Sequence, residues 1–97
     1  MKTLKSIVRS DTENGQVVGE AIVGVVEKQI RDGAPPETKE TLERLIELGE
    51  TRQNAIRYIA CVLSVEIFDA LKKNSSYNEG RYIRNLKALP ELPSSTA

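Results

Sequence analysis

TRQNAIRYIACVLSVEIFDALKK, from Thr51 to Lys73, is the stretch that decides the fold. At about 100° per residue it has helical spacing. Ala55, Ile56, Ile59, Val62, Leu63, Ile67, Ala70 and Leu71 make one broad apolar stripe. Tyr58, Cys61, Val65 and Phe68 make a second stripe on the other side. A helix that is apolar on nearly every side must be wrapped by other helices or by a second copy of the chain. Thr51 reads as its N-cap, and Lys72, Lys73 and Asn74 end it, with the cations at the favourable C-terminal pole.

Upstream, VVGEAIVGVVEKQI lies within residues 16–31 and sets Val18, Ile22, Val25, Val26 and Ile30 on one helical face. Its valines make a strand a competitor, but its length favours a helix. Gly19 and Gly24 weaken that helix unless another backbone approaches closely there, and Gly33 is its natural stop. Pro35 and Pro36 open a second helix, whose first turns hold Glu37 and Glu40. Leu42, Leu45 and Ile46 form its stripe, Lys39, Glu43, Arg44 and Glu47 its solvated face, and Gly49 its end. Asn78 caps a last helix from Glu79 to Ala88, with Tyr82, Ile83, Leu86 and Leu89 inward and Pro90 and Pro93 as the stop.

The expected fold is all-α: a small bundle of three main helices plus a short C-terminal one. One domain spans residues 15–90, between a partly ordered arm at 1–14 and a frayed tail at 91–97. Short connections favour antiparallel, up-down neighbours.

Composition removes whole classes of function. Fourteen Lys and Arg balance fourteen Asp and Glu in a chain of 97 residues. Zero net charge argues against a nucleic-acid footprint, and it removes the self-repulsion that keeps charged proteins monomeric. With no histidine, the usual acid/base at neutral pH and the commonest metal ligand are missing. Phe68, Tyr58, Tyr77 and Tyr82 are the only aromatic residues, a poor stacking platform for single strands. One cysteine excludes an internal disulfide framework; with no secretory leader recognised, a cytoplasmic protein is expected. No run reaches the ~18 apolar residues of a membrane span.

Two polar residues interrupt apolar stripes: Glu66 in the third helix and Gln29 in the first. A buried carboxylate is costly unless paired. Glu66 and Gln29 are therefore expected to meet in or beside the core, with Arg52 or a tyrosine hydroxyl. The plain role is a structural polar contact or a register-setting residue at a dimer seam. The sharper role is a ligand-binding or catalytic carboxylate. Glu66-x-x-Asp69 resembles half of a carboxylate metal site, but no matching second pair exists, so neither metal nor cofactor is expected. Asp69 is instead solvated or paired with Lys73. Cys61 lacks a histidine partner and reads as packing. Arg81, Arg84 and Lys87 on the last helix read as a solvated face rather than a contact for an acidic partner.

The segments VVEKQIRDGAPPETKETLERL, TRQNAIRYIACVLSVEIFDAL and EGRYIRNLKALPEL together resemble a group of small bacterial helical proteins of unknown function, the type called domain of unknown function 1841, or near relatives. Typical members of that group carry two H-x-x-x-H pairs. One precedes a segment like VVExQIxxGxPP; the other lies in one like RHEAIHxIAxxLAEEI. The first pair falls here on Gly19 and Val23, and the second on Gln53 and Arg57. All four histidines are absent together. If they bind a metal or carry chemistry in relatives, this chain does neither. The packing skeleton remains: Gln29, Gly33, Pro35, Pro36, Glu66 and Tyr82. The resemblance thus implies a stripped-down version that keeps binding or self-assembly.

The expected function is a non-catalytic, homodimeric protein-interaction module with no nucleic-acid or membrane partner. Its seam is placed on Tyr58, Cys61, Val65 and Phe68, with the first helix at Gly19 and Gly24 as the competing seam. The alternative is a ligand-binding or enzymatic domain that uses Glu66 in a bundle pocket.

Overall fold

A computed structural model describes residues 19–93, and the regular structure among them is all helical. Helix α1 takes residues 19–32, α2 Pro36–Glu47, α3 Arg52–Lys73 and α4 Glu79–Ala88. No strand occurs among the described residues. The valine-rich segment is helical because Ile22 and Val26, one turn apart, both enter the core. The arm placed at 1–14, residue Val18 and the last four residues of the tail lie outside the described residues.

Local chemistry sets the boundaries. Gly33 (φ 67°) and Gly49 (φ 108°) take the left-handed backbone that ends α1 and α2. Pro36 sits in the first turn of α2, where its missing N–H costs nothing. The Thr51 hydroxyl accepts the Asn54 N–H at 3.0 Å, and the Asn78 side chain accepts the Arg81 N–H at 2.9 Å. Asn74 closes α3 in the left-handed conformation (φ 53°).

Helices α2, α3 and α4 pack on one another, and α1 joins through Ile22 and Val26. The core takes Leu42 and Leu45 from α2, and Ala55, Ile56, Ile59, Val62 and Leu63 from α3. Tyr82, Leu86 and Leu89 close it from the α4 side.

Three sequence expectations need correction. In α2 the buried line is Thr38, Thr41, Leu42 and Leu45, whereas Ile46 is 42% exposed. The helix is turned towards its threonines because the Thr38 hydroxyl finds partners inside. In α3 the main stripe is covered from Ala55 to Glu66, but Leu71 stands 72% exposed. The 22-residue α3 outruns α2 and α4, of 12 and 10 residues. On α1, no close backbone approach accompanies Gly19 or Gly24: a Cβ at either position meets nothing within 4 Å.

Replacing fully buried Ile59 by alanine is expected to cost about 2–5 kcal/mol in urea denaturation. Leu71→Ala is expected to change stability by no more than about 0.5 kcal/mol. Equal losses at the two positions would contradict this packing.

Candidate functional site

The three polar residues expected to share one site belong to three separate contacts. Glu66, 0% exposed, is met from α4 by Arg81. Arg81 Nε donates to Oε2 at 2.7 Å and Nη2 to Oε1 at 2.9 Å, a two-point fork on one carboxylate. The same Nη2 donates to Asp69 at 2.9 Å, and Lys73 approaches Asp69 at 3.4 Å from the next turn. Arg81 comes within reach because the Asn78 cap starts α4 three residues before it. The Arg81 hydrogen bond, seconded by Lys73, holds the Asp69 carboxyl below its usual value. Glu66, then Asp69, push the guanidinium further towards its charged form.

Gln29 serves another joint. Its Oε1 accepts the Tyr82 hydroxyl at 2.7 Å and the Thr38 hydroxyl at 2.8 Å, so one amide oxygen links α1, α2 and α4. Burial pushes the Tyr82 phenol up to about 12, against the Thr38 hydrogen bond, which lowers it. The expectation of a tyrosine hydroxyl beside Gln29 is met by Tyr82. Arg52 is elsewhere: its two terminal nitrogens hold the Glu27 carboxylate at 3.0 and 2.9 Å on the surface. That contact lowers the Glu27 carboxyl's proton affinity.

Two contacts escaped the sequence reading. Arg44, assigned there to a solvated face, donates to the carbonyls of Leu89 at 2.6 Å and Leu86 at 2.9 Å and so caps α4 from α2. Arg81, assigned to a solvated cluster with Arg84 and Lys87, is the partner of Glu66; only Arg84 and Lys87 stay exposed. Helical period carries no information on such pairings, which reach 42 to 45 residues for Arg44 and 15 for Arg81.

The open surface lies along the outer side of α3. An open groove of ≈ 1000 Å³ runs between α1 and α3, with Ile22, Val23, Ile56 and Ala60 in its apolar lining. Gly19, Val23, Gln53 and Arg57, the four positions that match histidines in the resembling group, all line it. Across Arg57 and Cys61 lies a smaller hollow of ≈ 320 Å³, shared with Glu50, Asn54, Tyr58 and Leu92. Neither space is lined by Glu66 or Gln29. Of the residues placed at a seam, Cys61 and Phe68 are exposed, and Tyr58 and Val65 are half-buried. Among the described residues no three His, Cys, Asp or Glu side chains gather as a metal cluster, and no helix is long and apolar enough to cross a membrane.

No protein-family model matches the chain, and neither does any curated protein or solved structure.

Arg81→Ala strands a buried carboxylate, so it is expected to lower the melting temperature well beyond Arg84→Ala. Asp69 adds a pH signature. Its folded-state pKa is depressed, so its stabilisation is present above about pH 4 and is lost as the pH falls through the folded value. Denaturation series over pH 2–6 (roughly the carboxylate range) are expected to show a shallower acid limb for Arg81→Ala than for the wild type. Identical limbs and melts would remove this network. For Tyr82, absorbance titration is expected to show a tyrosine step near 12, above the ordinary value of 10. Its raised pKa means that stability is held below the ordinary value of 10 and falls as the pH climbs towards 12. Tyr82→Phe is expected to remove that late step and to cost about 1 kcal/mol.

Proposed function

We propose that the chain is a small, non-catalytic, homodimeric protein-interaction module of the cytoplasm, joined through the outward face of α3. One observation carries this reading. Phe68 is 52% exposed on an outward strip of α3 that also bears the exposed Cys61, and Leu71, on the neighbouring face three residues on, is 72% exposed. Large apolar side chains grouped on one exposed face mark interaction surfaces. Half-buried Tyr58 and Val65 flank the strip and offer it firm edges. Zero net charge lets two copies approach without mutual repulsion and gives no pull towards nucleic acid.

Ligand binding or catalysis through Glu66 has less support. Both of its oxygens accept from Arg81, and neither open space reaches it. A carboxylate so engaged must break its ion pair before it can take a proton or hold a ligand.

Kinship with the domain of unknown function 1841 type is part of the proposal. It rests on the three quoted segments and on one spatial agreement: four positions from two distant segments line the same groove. Histidines at those positions in a relative would face a common space. Here Gly19, Val23, Gln53 and Arg57 leave that space without imidazoles, which suits a binding role rather than a metal-dependent one.

Light scattering across a wide concentration range tests the assembly. The expected mass is that of two chains, twice 10.8 kDa. A monomer at every concentration would overturn the dimeric reading and leave the outward face for a different protein.

A further inference from the structure

The outer strip of α3 holds both a protrusion and a recess. Phe68 protrudes, 52% exposed. The ≈ 320 Å³ hollow around Asn54, Arg57 and Tyr58 is the recess. Cys61, exposed and lining that hollow, stands midway between them. Seven residues separate Cys61 from Phe68, and seven separate it from Asn54. At 1.5 Å per residue each interval is about 10 Å along the helix. Residues seven apart on a helix share a face.

Charge follows the same direction. Lys72 lies eleven residues after Cys61 on α3, and Glu50, on the rim of the hollow, stands just before the N-terminal end of that helix. They have opposite signs, and neither makes an ion pair with another described residue. A two-fold axis through Cys61 that sets two α3 helices antiparallel therefore does two things at once. It lays each Phe68 over the other copy's Asn54, and it brings each Lys72 to the other copy's Glu50. An isologous interface requires this reciprocity, in which residue i meets j and j meets i.

We infer that the occupant of this hollow is Phe68 of a second copy of the chain, in an antiparallel α3–α3 seam with its axis at Cys61 and with Lys72 and Glu50 paired across it. The inference rests on the dimeric reading above and gives it a register. Each copy's recess is completed by a side chain that only the partner subunit supplies. The aromatic ring leaves water for a site beside the Arg57 guanidinium and the Tyr58 ring, partners that suit an aromatic face. The charged pairs lie at the two ends of the seam, where they fix register more than affinity.

The test measures solution mass and dissociation constant for the wild type, Phe68→Asp, Lys72→Glu, Glu50→Lys and the Lys72→Glu/Glu50→Lys double variant. Circular dichroism checks that each is folded. Phe68→Asp is expected to weaken the dimer by about 100-fold or more, as loss of a central aromatic anchor does. Each single charge reversal is expected to weaken it by about 10-fold, and the double variant to recover most of that loss. Diamide, a two-electron thiol oxidant, is expected to link the wild type through Cys61 into a disulfide dimer, and to link Phe68→Asp far less. A wild-type dimer indifferent to all these changes and uncrosslinked by diamide would overturn this register and leave the dimeric reading standing. A monomeric wild type would overturn both. Should Phe68→Asp fail to fold, the charge-reversal series decides alone: absence of recovery in the double variant would refute the seam.

Discussion

The carboxylate of Glu66 is sealed from water, and the rest of the bundle is arranged around supplying its partner. A buried carboxylate without hydrogen bonds costs several kcal/mol, a large share of the stability of a chain this size. Arg81 answers it with two hydrogen bonds and spends a third on Asp69, so α4 is held to α3 in one rotational setting. With α4 so set, Tyr82 faces inward, where its hydroxyl reaches Gln29 of α1 beside Thr38 of α2. Arg44 then caps the far end of α4 from α2. Each contact depends on a helix orientation that another one enforces. This interdependence gives a small bundle one arrangement where apolar packing alone would tolerate several.

Whatever obeyed a local rule was legible in the sequence. The caps at Thr51 and Asn78, the helix end at Lys72, Lys73 and Asn74 and the glycine stops at Gly33 and Gly49 involve residues within a turn of one another. Glu66 and Gln29 were also visible, as polar breaks in apolar stripes. Their partners were not. Arg52, expected beside Glu66, stands fourteen residues away at the start of α3 and belongs to Glu27, and Arg81 reaches Glu66 across the turn between α3 and α4. Thr38 and Thr41, outside the expected stripe of Leu42, Leu45 and Ile46, are buried because their line on α2 faces the core and the Thr38 hydroxyl has Gln29 to bond. Leu71 read as core and proved exposed, because periodicity reports which face a residue shares and not how far the covering helices extend.

That last discrepancy carries functional weight. Helix α3 has core along one side from Ala55 to Glu66, and beyond that point its apolar residues outnumber what α2 and α4 can cover. A helix that served only the fold would end its apolar pattern where its cover ends. This one continues through Phe68 and Leu71 into solvent. Keeping large apolar side chains in water lowers solubility and adds nothing to the fold; the proposed dimer gives them a use.

The division of labour along α3 makes such a use compatible with a stable monomer. The contacts that set the helices, at Glu66, Gln29, Arg44 and Arg52, lie away from Phe68 and Leu71. Removing an exposed side chain on the outer strip leaves each of them in place. The contacts that set the helices and the proposed seam at Phe68 therefore lie on different faces of one helix and respond to different substitutions. That separation is what the near-continuous apolar pattern from Ala55 to Leu71 conceals: one stretch of sequence presents two faces, one filled by the chain's own helices and the other open to solvent.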